Sequence, residues 1–269
     1  MLPSSSLSFS SLSPKTQSVN GSEAYQILRR AILDLYLCPG AILSIKDICD
    51  YFGIGRSPVR DALLRLDQEG LVNLLPQRGT MISQINLSRV EQERFLRISV
   101  EEEVMKIFMA RHTPSDVMFL SESLRNQQKL CDGQEVDIRQ FLRLDDEFHN
   151  IFYTVADKLF CMQTVQNASG HYRRVRLLTL NRRRNIQETI NQHDTLVTAF
   201  RARDTALMRN TFHMHLSKLD HENQDLMKAH PNLFKGSADD IAGSWHIGDY
   251  LHTIKENPDA KQYVRWDNP

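Results

Sequence analysis

The chain has 269 residues, of which 41% are hydrophobic and 25% are charged, a composition typical of a soluble globular protein. Its 33 Lys and Arg residues equal its 33 Asp and Glu residues in number, so any surface that binds nucleic acid has to be a local basic patch. No stretch reaches the roughly 18 consecutive apolar residues of a membrane span, and we therefore expect no association with a membrane.

The cysteines and the N-terminal segment indicate a cytoplasmic protein. The four cysteines lack CxxC spacing, and so few in a chain of this length fit reduced thiols better than a disulfide framework. Residues 1–21 are rich in serine and lack both the early positive charge and the apolar core of a secretory signal. We expect this segment to be a disordered arm.

Residues 22–86 begin with two predicted helices. Apolar residues recur at helical spacing from Glu23 onward, and the Cys-Pro-Gly sequence at 38–40 is expected to end the first helix. Ser44 has the chemistry of an N-cap for a second helix, which we expect to end at Gly53.

A third helix and a hairpin follow. Ser57 is a natural N-cap and Pro58 suits the first helical position, so this helix is predicted to begin there and to stop at Gly70. The sequences LVNLL and GTMISQI flank a Pro-Gln-Arg turn and predict two strands. Two helices, a glycine turn, a third helix and a hairpin together predict a winged helix-turn-helix.

The third helix and the hairpin tip have side chains suited to DNA. Arg56 and Arg60 lie one helical turn apart, so both guanidinium groups can enter the major groove with the helix N-terminus. The Ser57 hydroxyl and the helix N-terminus would bind phosphate. Arg78 and Gly79 form the predicted wing tip, where glycine permits close approach of the backbone to the minor groove. The alternative is a solvated arginine face on a winged helix that binds protein.

Residues 87–230 are predicted to form an all-helical bundle, which makes the chain mainly α. Apolar residues recur at spacings of three and four through about six helices, with breaks at Pro114 and Gly133, and no segment has a strand pattern. Residues 231–269 mix Gly, Pro, Asp and aromatic residues without a period, and the sequence assigns this extension no role.

Four side chains of the predicted bundle have the types and spacing of a metal site. Asp145 and His149 are four residues apart on one helix and therefore share a face, while His193 and His215 lie on two later helices. Three imidazoles and one carboxylate suit a borderline divalent ion such as Zn²⁺, Ni²⁺ or Mn²⁺, with open positions for water or a ligand. The alternative is that each histidine is an ordinary core or surface residue.

The segment PGAILSIKDICDYFGIGRSPVRDALLRLDQEGLVNLLPQRGTMIS resembles the winged helix-turn-helix of the GntR family of bacterial transcription regulators. The SPVRDAL core, the EGLV strand entry and the RG wing fall where that family has them. The resemblance implies DNA contacts by the following residues: Lys46, Arg56, Ser57, Arg60 and Gly79. Many relatives have a glutamate soon after the position of Leu43, where this chain has Ser44-Ile45-Lys46, a difference that concerns helix capping rather than DNA readout.

Residues 87–230 resemble the FCD ligand-binding domain of the FadR-type GntR subfamily. The metal pattern of that domain is Asp-x-x-x-His followed by two later histidines, and DDEFH, NQHDTL and HMHL match it at the four positions named above. His213 competes with His215 for the last position, but the histidine before the leucine matches better. Arg97 in FLRISVE matches an arginine that faces the pocket in this family. The resemblance implies that the metal and Arg97 hold a small carboxylate effector, an organic or sugar acid.

These resemblances predict a ligand-responsive transcription regulator that acts as a homodimer on a pseudo-palindromic operator in double-stranded DNA. Repression is the commoner outcome in the family. One alternative is an FCD regulator that works without a metal, with the histidines lining a polar pocket. Another is a helical metal-dependent hydrolase that uses Asp146 or Glu147 as a base, which leaves the winged helix without a purpose.

Overall fold

The computed structural model describes residues 20–133, 136–180, 183–217 and 225–236. It divides into two compact units: the described residues up to Asn86 together with those from His230 onward, and the described residues of Leu87–Ala229. Most of the predicted N-terminal arm and most of the C-terminal extension lie outside the described residues. None of the helices described has the length and apolar character that crossing a membrane requires.

The first helix, α1 (Gly21–Leu33), begins and ends earlier than the sequence suggests. Asn20 and Glu23 form a capping box, each side chain accepting a hydrogen bond from the other's backbone N–H, so residues 20 and 21 belong to the helix start rather than to the arm. The prediction that Cys-Pro-Gly ends the helix is wrong. Leu35 adopts a left-handed φ of 58° and is buried, which turns the chain before the proline is reached.

The helices α2 (Ile45–Phe52) and α3 (Arg56–Gln68) form the helix-turn-helix. The Ser44 hydroxyl accepts the Asp47 N–H at 3.1 Å, and Gly53 ends α2 with a left-handed φ of 64°, as predicted. The prediction that Ser57 caps α3 is wrong, since Gly55 is the N-cap and makes no side-chain cap bond.

Pro58 therefore lies inside the first turn of α3, where a helix tolerates proline because the first N–H groups have no intrahelical acceptor. A Cβ atom on Gly21 would lie 2.9 Å from the Pro58 Cβ. The N-terminus of α1 therefore packs tightly against the N-terminus of α3.

The winged unit contains a three-stranded antiparallel sheet in the order β1-β3-β2, with β1 at Ile42–Leu43, β2 at Val72–Leu75 and β3 at Gly79–Ile82. The predicted hairpin is β2 and β3, paired from Val72 with Ile82 to Leu75 with Gly79. The sequence did not indicate β1, because a strand of two residues has no readable alternation.

The start of the C-terminal extension packs on the winged unit. After a short 3₁₀ turn at Pro231–Leu233, Phe234 pairs with Ile85 as a parallel bridge. The Ile85 N–H donates to the Leu233 carbonyl at 2.8 Å, and the Lys235 N–H donates to the Ile85 carbonyl at 2.9 Å. Leu233 and Phe234 are 3% and 0% exposed, so these residues belong to the core of this unit.

The second unit is helical throughout its described residues, and the mainly α fold class is confirmed. Seven labelled helices are described rather than about six, because the segment before Leu180 forms two of them. Residues 225–229 are also helical, and the stretch at 218–224 that the sequence predicts to join them to the preceding helix lies outside the described residues. The helices are α4 (Leu87–Arg111), α5 (Pro114–Cys131), α6 (Ile138–Val155), α7 (Leu159–Asn167), α8 (Gly170–Thr179), α9 (Arg183–Ala202) and α10 (Thr205–Ser217).

Candidate functional site

In the winged unit, the arginines predicted to read DNA lie on the solvent face of α3. Arg56, Ser57 and Arg60 are exposed in its first two turns, and Lys46 is exposed on α2. Within the described part of the chain, neither these three cations nor Arg78 forms an ion pair or a side-chain hydrogen bond. Unpaired guanidinium and ammonium groups at a helix N-terminus are available for phosphate oxygens and base edges.

The opposite face of α3 anchors it to α1. Its buried side includes Val59, Leu63 and Leu66. The guanidinium of Arg65, although this residue is exposed, stacks over the Tyr25 ring at 3.7 Å from its centroid and so adds to the packing of α3 on α1. This packing fixes α3 and holds its exposed arginines at defined positions.

The wing is a tight turn between β2 and β3. Gln77 adopts a left-handed φ of 61°, and the Arg78 N–H donates to the Leu75 carbonyl at 3.1 Å, which leaves the Arg78 side chain in solvent. Gly79 has a φ of 109°, and a Cβ atom there would lie 2.8 Å from the Leu43 carbonyl oxygen. The fold itself therefore requires glycine at this position, whether or not its backbone approaches DNA.

In the helical unit, the four predicted metal ligands come together from three helices. Asp145 and His149 lie on α6, His193 on α9 and His215 on α10, and one ligand atom from each lies within 4.8 Å of the others. The Asp145 carboxylate is 3.6 Å from His193 Nε2 and 3.9 Å from His149 Nε2. Except for the partly buried His215, these side chains are at most 3% exposed.

The competing residue His213 is directed elsewhere. Its Nε2 atom lies 3.2 Å from Glu102 Oε2, and its side chain is 43% exposed. His215, two residues later on α10, instead has its ring centroid 4.9 Å from that of His193. Of the two histidines in HMHL, the structure brings His215 into the cluster.

Each histidine of the cluster is oriented by a polar partner on its Nδ1 atom. His149 Nδ1 forms a short contact with Glu101 Oε1, His193 Nδ1 lies 2.7 Å from Gln127 Oε1, and His215 Nδ1 lies 2.9 Å from Gln192 Oε1. Since a carboxylate and an amide oxygen only accept hydrogen bonds, these partners favour the tautomer with the proton on Nδ1. The Nε2 lone pairs are then free, the arrangement that metal-binding histidines have.

Three atoms at the centre of the cluster have no hydrogen-bond partner among the described residues: His149 Nε2, His193 Nε2 and Asp145 Oδ1. Buried polar atoms are normally satisfied, and leaving them unpaired costs about 1–3 kcal/mol each. Two imidazole lone pairs and a carboxylate oxygen facing one another, with no donor between them, fit a bound cation. The donor set matches the borderline divalent ions Zn²⁺, Ni²⁺ and Mn²⁺.

The protonation states also suit metal ligation. Burial, partly offset by the field of Asp145, lowers the pKa of His193 to about 3. Burial and the neighbouring imidazoles likewise lower the pKa of His215. Burial alone would raise the pKa of Asp145, but Arg176 and then His149 hold it well below the usual value. At neutral pH, His193 and His215 are therefore neutral and Asp145 is ionised, the forms that bind metal.

Arg97, the predicted effector residue, is buried on α4 one turn before Glu101. Its Nε atom donates to Glu101 Oε2 at 2.8 Å, and its guanidinium lies 5.8 Å from the Tyr172 ring centroid. In the described residues, its two terminal nitrogens make no hydrogen bond. Burial alone would raise the pKa of Glu101, but Arg97 and then His149 lower it to about 2, so Glu101 is a fixed anion that links Arg97 to His149 of the cluster.

Sequence patterns missed a second buried arginine. Arg176 on α8 donates to Asp145 Oδ2 at 2.5 Å and to Asp146 Oδ1 at 3.3 Å, and its guanidinium also lies 5.8 Å from the Tyr172 ring centroid. In the basic sequence HYRRVRLL, no periodicity distinguishes the buried Arg174 and Arg176 from the partly buried Arg173. Asp146 pairs with Arg173 as well, and Glu147 is exposed.

Comparison with known proteins agrees with this architecture. Residues 20–82 match the family model for bacterial regulatory proteins, gntR family, and residues 94–218 match the FCD domain. The HTH-type transcriptional repressor RspR of Escherichia coli (strain K12) is 28% identical over 219 residues, which covers 81% of this chain and 95% of that protein. An HTH-type transcriptional regulator in an unstable DNA locus of Streptomyces ambofaciens is 31% identical over 219 residues, which covers 81% of this chain and 91% of that protein.

Solved structures show the same fold at lower identity. Escherichia coli McbR/YncC superposes with a TM-score of 0.63 at 19% identity, covering 78% of this chain and 98% of that one. A transcriptional regulator GntR from Rhodococcus sp. RHA1 has a TM-score of 0.62 at 22% identity, and the match covers 77% of this chain and 97% of that one. The relatives are DNA-binding transcription regulators and not enzymes. The chain thus belongs to the GntR family of transcription regulators, with an N-terminal winged helix-turn-helix followed by an FCD domain.

Proposed function

We propose that this regulator is a cytoplasmic repressor that binds a pseudo-palindromic operator as a homodimer and responds to a small organic or sugar acid held beside a divalent metal ion. A two-fold symmetric dimer presents two recognition helices to two half-sites. The Escherichia coli relative is named a repressor, which supports repression here.

The metal part of the proposal rests on one observation: three buried ligand atoms face one another without a hydrogen-bond partner. Asp145, His149, His193 and His215 would hold the ion, and the acceptors on their Nδ1 atoms would keep the imidazoles in the binding tautomer. A divalent ion bound there supplies a Lewis-acidic position for a carboxylate oxygen. An FCD regulator that works without metal would leave those atoms unsatisfied.

Arg97 is the proposed effector contact in the chain itself. Glu101 holds its Nε atom, which fixes the guanidinium plane, while the terminal nitrogens remain available to a carboxylate. Effector binding would change operator affinity through a coupling free energy of about 1–3 kcal/mol, equivalent to roughly 5- to 150-fold.

Gel-shift titration on operator DNA tests the DNA-binding surface. Arg56→Ala and Arg60→Ala should each weaken binding, since each removes an unpaired guanidinium from the start of α3. Arg30→Ala is the matched control, because Arg30 is an exposed arginine on α1 that pairs with Asp34 at 3.6 Å. If both α3 variants bind as tightly as the control, the assignment of α3 as the recognition helix is wrong.

Metal analysis of purified protein tests the metal site. His215→Ala should lose bound divalent ion, whereas His213→Ala should retain it, because His213 pairs with Glu102 outside the cluster. The two variants remove the same side chain from the same helix. Equal metal content in both, or no metal in the unaltered protein, would favour the metal-independent regulator.

A further inference from the structure

Gln77 at the wing tip adopts a backbone conformation that glutamine rarely has. The wing turns at Pro76 and Gln77, and the Arg78 N–H closes this turn on the Leu75 carbonyl at 3.1 Å. Gln77 has a φ of 61°, and a turn with proline second and a left-handed residue third usually has glycine or asparagine in that third position. A residue with a longer side chain is strained there, so glycine would form the same turn at a lower energetic cost.

Contacts within the protein account for the other left-handed residues but not for Gln77. Leu35 has a buried side chain, and Arg203 donates to two backbone carbonyls at the end of α4, at 2.9 and 3.1 Å. Asp157 follows the end of α6, and aspartate tolerates this conformation better than most residues. The Gln77 side chain, by contrast, is exposed and makes no hydrogen bond within the described ranges. A strained residue that the fold does not require points to a partner outside the chain.

The position of Gln77 suits the minor groove of DNA. It directly precedes Arg78, whose exposed guanidinium is expected to approach that groove together with Gly79. Arginine and glutamine are both side chains that proteins use to read the minor groove, and arginine favours the narrow groove of A·T-rich DNA.

The chemistry of the minor groove selects between the two kinds of base pair. An A·T pair presents only hydrogen-bond acceptors there, adenine N3 and thymine O2, whereas a G·C pair adds the amino group of guanine as a donor. The side-chain amide of Gln77 has two N–H donors, and the guanidinium of Arg78 has donors only. A wing tip with these donors is complementary to a row of acceptors, and the guanine amino group would interrupt that row.

We infer that Gln77 is a specificity-determining residue, whose side-chain amide donates to the minor-groove edge of an A·T pair that flanks each half-site. This inference rests on the proposed DNA-binding surface and adds a base preference that α3, in the major groove, does not supply. Glutamine is kept at a strained position because its amide contacts the DNA, and a G·C pair at that position weakens binding.

Selection of bound sites from a random double-stranded DNA library, followed by gel shifts on one selected site, tests the inference. The unaltered protein should enrich A·T pairs beside the half-sites. Replacement of such a pair by G·C should weaken binding about fivefold, the effect of one lost base contact. An inosine·C pair lacks the minor-groove amino group but keeps the major-groove edge of G·C, so it should bind like A·T.

Two variants of Gln77 separate the amide from the backbone. Gln77→Met keeps the length of the side chain and removes its donors, and Gln77→Gly removes the side chain and relieves the strain. In both variants, the A·T, G·C and inosine·C sites should bind within twofold of one another, while the selected half-site core stays the same. Gln77→Gly should melt at the same temperature as the unaltered protein or higher.

Asp157→Gly is the matched control, because Asp157 is exposed, has a φ of 56° and lies in the helical unit. It should melt no lower and should keep the preference for A·T. The inference is overturned if inosine·C binds as weakly as G·C, if either Gln77 variant keeps the preference, or if Gln77→Gly melts earlier, which would show that the glutamine stabilises the wing. Failure of the proposed DNA-binding surface is a separate result, visible as unchanged binding by Arg56→Ala and Arg60→Ala.

Discussion

Gln127 provides a sharp test of how the protein prepares His193 for metal. This fully buried side chain on α5 donates from Nε2 to the Leu144 carbonyl at 3.2 Å and places its Oε1 atom 2.7 Å from His193 Nδ1. One amide thus fixes both the orientation and the tautomer of the imidazole. Gln127→Leu keeps a similar volume and removes both hydrogen bonds.

Gln127→Leu should lower both the metal affinity and the free energy of unfolding. Loss of a hydrogen bond that orients a metal-binding histidine typically lowers metal affinity about 10- to 100-fold, which corresponds to roughly 1.4–2.8 kcal/mol. In the metal-free protein, Nδ1 of the fully buried His193 is left unpaired, at about 1–3 kcal/mol. The variant should therefore be less stable and bind metal more weakly, while keeping all four ligand residues.

Competition with a chromogenic chelator measures the affinity, and denaturant unfolding of the chelated protein measures the stability. Gln187→Leu is the control, because Gln187 is an exposed glutamine whose side chain bonds Asn191 on its own helix, away from the cluster. Metal affinity in Gln127→Leu within twofold of that in the control would refute the claim that Gln127 prepares His193 for binding.

Three other perturbations should change the free energy of unfolding. Phe234→Ala should lower the free energy of unfolding, measured with denaturant, by about 3–5 kcal/mol, since its fully buried ring belongs to the residue that pairs the C-terminal extension with Ile85. A decrease of less than about 1 kcal/mol would show that this contact of the extension does not stabilise the protein. Gly79→Ala should lower the free energy of unfolding by about 1–3 kcal/mol, because the residue has a φ of 109° and its new Cβ atom would lie 2.8 Å from the Leu43 carbonyl oxygen. An unchanged melting temperature would contradict this. The free energy of unfolding of the metal-free protein should fall as pH falls from about 6.5 toward 3, because His193 has a pKa of about 3 in the folded chain and an ordinary pKa in the unfolded chain, which therefore takes up the proton first. Denaturant unfolding at a series of pH values measures this, and a flat profile would contradict it.

The parts of the fold that follow local rules were predictable from sequence. Ser44 and Gly53 bound α2 as their chemistry requires, and the hairpin of β2 and β3 follows its turn residues. The N-cap of α3 was not predicted, because the local preference of Ser57 for that position is not followed and Gly55, which makes no side-chain cap bond, occupies it. The position of Phe234 was not predictable either, because it pairs with Ile85, which is distant in the sequence.

Some residues of the candidate site could be predicted from the sequence, and others could not. Asp145 and His149 could be paired from their spacing alone, whereas the choice of His215 over His213 came from the family pattern and agrees with the direction of the two side chains. Arg176 could not be identified, because its burial depends on Asp145 from a different helix, and an arginine in a basic segment is usually exposed. Buried ion pairs between distant segments leave no periodic signal in either of the two segments.

Everything proposed for the effector site depends on a divalent ion bound by three imidazoles and one carboxylate of the FCD domain. X-ray absorption at the metal edge of the purified protein tests this most directly. We expect about one ion per chain, with ligand atoms that are nitrogen and oxygen only and with imidazole scattering. For zinc, the metal–ligand distances should be about 2.0–2.2 Å, and His193→Ala should lose this signal. A sulfur-containing shell, or a spectrum unchanged by His193→Ala, would contradict it.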